Sequence, residues 1–260
     1  MSTPLAGRGV VITRPTGESQ RLEILIREAG GVPLLYPAIE ILDATDVPAL
    51  DAVIERLDDF DLAIFISPTA ADRAMTRIQA RRMLPQKLRY AAIGPGSVRT
   101  LQKLGLRDVI SPAADSPRYD SESLLASQFL QNVRGMRVVV FRGDGGRELL
   151  SETLTARGAD VESVTCYRRG KATFDPATLI AAWTRGEVAA VIITSSEGLR
   201  NLCERLGAGG VNWLRKTLMA VPHPHIAALA RELGMTRVTE SASGDEALVA
   251  AVVRHVQVSG

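Results

Sequence analysis

The sequence predicts an α/β protein of two doubly wound parallel-sheet domains, produced by an internal duplication and enclosing a cleft. Three observations carry this. Apolar strand-like runs alternate with amphipathic helical runs along the whole chain, as a parallel sheet with helices on both faces requires. Val10-Val11-Ile12-Thr13-Arg14 lines up with Val138-Val139-Val140-Phe141-Arg142, and Ile64-Phe65-Ile66-Ser67 with Ile192-Ile193-Thr194-Ser195. Both pairs of blocks stand 128 positions apart (Val10 against Val138, Ile64 against Ile192), so one pattern is written twice.

In order, the first A block opens with a short β-branched run, Val10 to Thr13. Leu22, Leu25, Ile26 and Ala29 then recur at helical spacing, and Gly30-Gly31 supplies a left-handed stop. The first B block begins with a buried strand, Leu62 to Ile66. Ser67-Pro68 then gives an N-cap with proline at the first helical position, and Ala70 to Ile78 continues as helix. Tyr90 to Ile93 reads as strand, Ser97 to Leu104 as helix closed by Gly105, Val109-Ile110 as strand and about Ser121 to Leu130 as the final helix. The second A block repeats the scheme with Val138 to Phe141, then Leu149, Leu150, Thr153 and Leu154 and a terminal Gly158. The second B block has strands Ala189 to Ile193, Leu218 to Val221 and Val238, and helices Gly198 to Leu206, Ile226 to Leu233 and Glu246 to Val256. Leu34 to Glu40 and Val164 to Gly170 end the A blocks and are the natural crossings between domains. Whether the first A block folds with the first or the second B block stays open on the repeat alone.

Composition narrows the function. The chain has 260 residues, 46% apolar and 23% charged, which excludes disorder, and a run such as Ala247 to Val253 is far short of the roughly 18 apolar residues of a membrane helix. Residues 1–15 lack the charged start and apolar block of a secretory signal, so a cytoplasmic location is expected. A net charge of +2 with 4% aromatic residues gives little attraction or stacking surface for nucleic acid. Cys166 and Cys203 form no CxxC or Cys/His pattern, and both lie in apolar stretches suited to a core. His223, His225 and His255 are too few for a histidine metal site, and Arg99 occupies the last glycine position of a GxGxxG match at Gly94.

Ligands of open parallel sheets bind outside the carboxyl ends of the strands. Those ends carry Thr13-Arg14, Ser67-Pro68-Thr69, Gly94-Pro95-Gly96-Ser97, Arg142-Gly143-Asp144 through Arg147, Thr194-Ser195-Ser196 and Pro222-His223-Pro224-His225. Each precedes a helix whose free N–H groups favour an anion. Arg outnumbers Lys by 27 to 4, which suits carboxylates. Asp144 and Glu197 are explained by the dipole of a following helix.

The paired A blocks, Ile64 to Pro68 with its copy Ile192 to Ser196, Ala92-Ile93-Gly94 and Glu162-Ser163-Val164-Thr165-Cys166-Tyr167 together resemble the uroporphyrinogen-III synthase family, over roughly residues 6 to 256. The resemblance implies two domains joined by a two-stranded connection. Residues 1–38 with 171–260 form one, 41–166 the other, and 36–40 with 167–170 connect them. It implies a lyase of tetrapyrrole, porphyrin and heme biosynthesis that dehydrates and cyclises linear hydroxymethylbilane with inversion of the last pyrrole through a spiro intermediate. No cofactor, metal, nucleic acid or membrane partner is implied, and a monomer is expected. Tyr167 matches the family's acid for the departing hydroxyl, since a phenol keeps its proton at neutral pH and can donate it. Thr13, Arg14, Ser67, Ser97, Arg142, Gly143, Arg147, Thr194, Ser195, Ser196 and His225 are the expected substrate contacts. The chain departs from the family at Ser97, where a threonine is common, and at Pro222 to His225, where a Gly-Pro-Thr-Thr type sequence is found. A non-catalytic ligand-binding protein of the periplasmic-receptor kind shares the cleft and duplication. A two-domain sugar-nucleotide transferase is a further reading, which requires nucleotide binding.

Overall fold

A computed structural model of the chain describes residues 4–113, 119–145, 148–242 and 244–258. The first half runs β1 (Gly9–Ile12), α1 (Gln20–Glu28), β2 (Val32–Leu35), β3 (Ile39–Asp43), α2 (Val47–Glu55), β4 (Leu62–Phe65), α3 (Pro68–Gln79), β5 (Arg89–Ala92), α4 (Pro95–Lys103), β6 (Val109–Ile110), α5 (Ser121–Leu125) and α6 (Gln128–Gln131). The second half runs β7 (Arg137–Gly143), α7 (Leu149–Ala156), β8 (Asp160–Lys171), α8 (Pro176–Thr184), β9 (Val188–Ile192), α9 (Ser196–Lys216), β10 (Leu218–Val221), α10 (Pro224–Glu232), β11 (Val238–Glu240) and α11 (Asp245–Val258). The chain divides into two compact units, Met1–Ile41 with Gly170–Gly260, and Leu42–Arg169.

The discontinuous unit holds a five-stranded sheet in the order β11-β10-β9-β1-β2. All four of its pairings are parallel. β1 thus lies between β9 and β2, and the N-terminal A block completes the sheet of the C-terminal half. Side chains alternate between the two faces, as strand geometry dictates. Val11, Val191, Ile193, Met219 and Val221 pack with α8, α9 and α10, whereas Val10, Ile12, Ala190, Ile192, Leu218 and Ala220 pack with α1 and α11. Each Val, Ile, Leu or Met side chain taken from water here contributes roughly 1.5–3 kcal/mol, which is why both faces must be covered.

The continuous unit is a six-stranded sheet ordered β3-β8-β7-β4-β5-β6, with β7-β8, β7-β4, β4-β5 and β5-β6 parallel. Leu62, Ile64, Val138 and Val140 face Leu124, Leu125, Leu130, Leu150 and Leu154 on α5, α6 and α7. Phe65 and Phe141, in register on neighbouring strands, stack at 5.1 Å. The chain passes between the units in β3 and β8, which are neighbours in this sheet.

Four elements differ from the sequence expectation. The helix expected over residues 121–130 is two short pieces, because Ser127 adopts an extended backbone (φ −60°, ψ 140°) and starts a new turn. The helix expected to end at Leu206 does break there, at Gly207 (φ 62°, ψ −176°), and an unexpected second helical segment follows to Lys216. Gly209 and Gly210 weaken a helix by about 1 kcal/mol each, but Leu214 is fully buried and anchors that segment. Helices α2 and α8 were not expected; each opens on an aspartate cap, Asp46 accepting from Ala49 N–H and Asp175 from Ala177 N–H, followed by a proline in the first turn.

Candidate active site

Tyr167 lies on β8, and its placement begins with a break in register. β8 pairs with β7 residue for residue from Arg137–Asp160 to Arg142–Thr165, but Gly143 then pairs with Tyr167, leaving Cys166 as an extra residue. Such a bulge re-aims the side chains that follow it. Cys166 and Tyr167 are both buried, at 5% and 2% exposure, against the alternation of an unbroken strand.

The bulge brings the Tyr167 ring over the backbone of Gly143. A Cβ at position 143 would lie 2.6 Å from Tyr167 Cζ and 2.9 Å from its hydroxyl, so only glycine admits the ring. Tyr167 Oη lies 3.2 Å from Ser67 Oγ. Ser67 follows β4 as the N-cap of α3, and its Oγ accepts the Ala70 N–H at 3.0 Å. Cys166 is fixed from below: its thiol donates to Arg142 O at 3.1 Å, and burial pushes its pKa up to about 12, so it is a thiol and no nucleophile at neutral pH. Asp144 N–H donates to Tyr167 O, and the Asp144 carboxylate accepts from Arg169 N–H, tying the β7–α7 loop to β8 rather than capping α7.

The other sequence-derived candidates divide into three groups. Thr13 and Ser97 are 3% exposed. Thr13 donates to Ile192 O at 2.9 Å, so its hydroxyl serves the β1–β9 junction. Arg14 pairs with Asp245 at 2.8 Å. Arg142, 7% exposed, donates to both carboxylate oxygens of Glu148 and to Gly145 O, so its fork is engaged within its own loop. Thr194 and Ser196 are half-buried beside Ser195, which caps α9 by accepting Gly198 N–H at 3.0 Å. His225 is exposed on the first turn of α10, stacked on the α10 N-cap His223 with ring centroids 5.5 Å apart. Arg147 lies outside the described residues. The structure therefore brings Tyr167, Ser67 and Gly143 together, and puts Thr194, Ser195 and Ser196 on one separate helix start.

Arg168 was not foreseen. It is exposed next to Tyr167 and lines a cavity of about 620 Å³ with Leu42, Asp43, Ala44 and Thr45. The Arg168-Arg169 pair was visible in the sequence as the cations beside Tyr167, but helix starts drew the expectation elsewhere.

Two units carrying one duplicated pattern, with hydroxyl-capped helix starts beyond the strand ends and a buried phenol at one of them, define a two-unit α/β protein of the open parallel-sheet class. The family described as "Uroporphyrinogen-III synthase HemD" matches residues 20–250, and the chain belongs to that family. It is 34% identical over 243 residues to the uroporphyrinogen-III synthase of Salmonella typhimurium, covering 92% of this chain and 98% of that one. Against that of Escherichia coli it is 33% identical with the same coverage. Among solved structures, a mutant uroporphyrinogen III synthase of Thermus thermophilus shares the fold with a TM-score of 0.59 at 20% identity, over 97% of this chain and 100% of that one. The Helicobacter pylori uroporphyrinogen-III synthetase does so with a TM-score of 0.56 at 13% identity, over 97% and 99%.

Proposed function

We propose that the chain is a uroporphyrinogen-III synthase, a lyase that converts linear hydroxymethylbilane to uroporphyrinogen III and water in the tetrapyrrole, porphyrin and heme pathway, acting as a monomer in the cytoplasm. The observation that carries the reading is family membership across residues 20–250 with Tyr167 on the bulge of β8. Among the described residues no helix is long and apolar enough to cross a membrane.

Tyr167 is the acid. As the carbon–oxygen bond of the hydroxymethyl group breaks, its electron pair stays on oxygen, and the phenolic proton moves there to complete water. The electron-rich pyrrole stabilises the cation left behind. The substituted carbon of the last ring closes on it to a spiro intermediate, which reopens and recloses with that ring inverted. The proton lost when the pyrrole regains aromaticity restores the phenol. Because Tyr167 is 2% exposed, substrate must displace what covers it before the proton can pass.

Steering outweighs acid catalysis here, since the cation forms readily and closes unaided to the type I isomer. Orientation comes from many contacts to the substrate's carboxylates. In the unit that carries Tyr167, backbone N–H groups at the starts of α3 and α4 supply them. Arg168 is the exposed cation nearest the acid in sequence, whereas Arg14 and Arg142 must first leave Asp245 and Glu148. Incubating pure protein with hydroxymethylbilane and separating the isomers tests the reading: type III in excess is expected. Type I alone, the outcome also expected of a periplasmic-receptor-like binding protein, would overturn it.

A further inference from the structure

Ser67 Oγ has one proton to give and two lone pairs. One lone pair takes the Ala70 N–H at 3.0 Å, in the first turn of the twelve-residue helix α3. That donor and the positive end of the helix draw electron density from the oxygen and sharpen its own O–H as a donor. The Tyr167 oxygen lies 3.2 Å away. Were the phenol to donate to Ser67, its proton would be tied up and withheld from the departing hydroxyl.

We propose that Ser67 is the positioning residue for the acid: its O–H donates to Tyr167 Oη, which keeps the phenolic proton turned toward substrate and stabilises the phenolate while that proton is away. The proposal rests on the synthase reading for its catalytic consequence, though not for the hydrogen bond itself. Proton balance is simple. The phenol gives its proton to the leaving oxygen and recovers one from the rearomatising pyrrole, while Ser67 keeps its own throughout.

Two further features hold the pair. The bulge at Cys166 delivers the ring, and the bare Gly143 leaves it the only space it fits. Ser195, at the corresponding place in the other unit, makes the same cap at the same 3.0 Å to Gly198 N–H. The residue 128 positions before Tyr167 is Ile39, which is aliphatic, and its Cδ1 would lie 3.8 Å from a Cβ on Gly198. Capping alone therefore does not require a phenol, and the Ser67–Tyr167 contact is an addition to it.

Raman spectroscopy of the tyrosine Fermi doublet reads whether a phenolic oxygen accepts a hydrogen bond. The chain has four tyrosines, so the spectrum of Tyr167 is the difference between the unaltered protein and Tyr167→Phe. An accepting pattern is expected, and a purely donating one would overturn the proposal. Ser67→Asp separates the two roles of the side chain. Its carboxylate caps a helix, as Asp46, Asp120 and Asp175 do elsewhere in this chain, but has no proton to give. Turnover should fall on the order of 10- to 100-fold, the effect of losing a hydrogen bond to a charged group, with KM and melting temperature nearly unchanged. Ser67→Thr, which keeps both roles, should recover most of the turnover and the accepting pattern. Unaltered turnover in Ser67→Asp would sink the idea. A protein that makes no type III product refutes the synthase reading, while the Raman difference still decides the hydrogen bond.

Discussion

The two units present the same helix start with different company. Ser67 and Ser195 stand 128 positions apart, both extended, both accepting a backbone N–H three residues on at 3.0 Å. At the corresponding ends of the A blocks, also 128 apart, stand Tyr167 and Ile39. The duplicated scaffold thus reproduces a structural cap, worth about 1 kcal/mol, in each copy. One copy places a proton-bearing side chain 3.2 Å from the cap oxygen, whereas the equivalent position of the other copy is aliphatic. A polar helix start is a frame for a site, and the residue delivered to it decides whether it becomes one.

The sharpest way to break this comparison is to make Tyr167 resemble its apolar counterpart. Proton donation by one side chain contributes about 10²–10⁴-fold, so Tyr167→Phe should lower kcat by that order. The ring's packing is kept, and the residual product stays mainly type III because steering is spread over other contacts. Measuring kcat, isomer ratio and melting temperature on one sample checks this. A stable Tyr167→Phe protein with unaltered kcat would remove the phenol from the mechanism and leave the two units chemically alike.

Next in size is Gly143→Ala. The added methyl meets the Tyr167 ring at 2.6 Å and its hydroxyl at 2.9 Å, so the buried ring must shift. Overpacking of this kind costs about 1–3 kcal/mol, and the ring must turn away from Ser67. Thermal unfolding should show the loss of stability, and kcat should approach that of Tyr167→Phe. A variant with normal melting temperature and turnover would show that the ring is not held where the structure has it.

The repeat, the strands and the alternation of elements were legible because burial on two faces imposes apolar runs of fixed spacing, as at Val10 to Ile12 and Val138 to Phe141. Tyr167 stands out in the sequence as one of four tyrosines and lies in a crossing between domains, but its proposed role as the acid came only through the resemblance. Its hydrogen bond to Ser67 was not legible, since a bulge in a parallel strand depends on the partner's register, which no local pattern around Cys166 records. The same limit explains Arg142 and Thr13. The sequence places them at strand ends, but Glu148 and Ile192 engage them first. The helical segment after the break at Gly207 was hidden by Gly209 and Gly210, whose poor local propensity is overridden by the burial of Leu214.

The two cysteines offer a smaller contrast. Cys166 sits buried in the bulge with its pKa raised to about 12 by desolvation, whereas Cys203 is half-buried on α9 and also shifted upward by burial. The folded state holds the Cys166 proton after the unfolded chain has released its own. Its contribution is therefore fully present below the ordinary thiol range and is lost as pH rises from there toward 12, by at most about 1.4 kcal/mol per pH unit. Denaturant titrations between neutral pH and about pH 10 should show this alkaline loss flattened in Cys166→Ala and altered less in Cys203→Ala. Equal flattening in both would mean that the bulge shelters its thiol no better than the helix does.

The smallest expected effect lies in the loops that open α4 and α10. Both place an extended residue before a proline, Gly94 in one unit and His223 in the other, and neither cap uses a side-chain hydrogen bond. Only the second carries titratable groups. His223 has its pKa lowered, first by partial burial of its ring and then by the charge of His225 stacked at 5.5 Å. A depressed imidazole favours folding while both states are neutral. That contribution is present above the ordinary histidine range and is lost as pH falls through the lowered value, because the unfolded chain takes up the proton first. The residue is exposed, so solvent keeps the effect slight. His225→Gln should move the His223 titration, followed by its ring proton resonances, upward toward the usual histidine value. The shift should stop short of it, since burial is the larger cause. No movement would mean that the stacked pair is uncoupled and that this loop, like its counterpart at Gly94, is electrostatically silent.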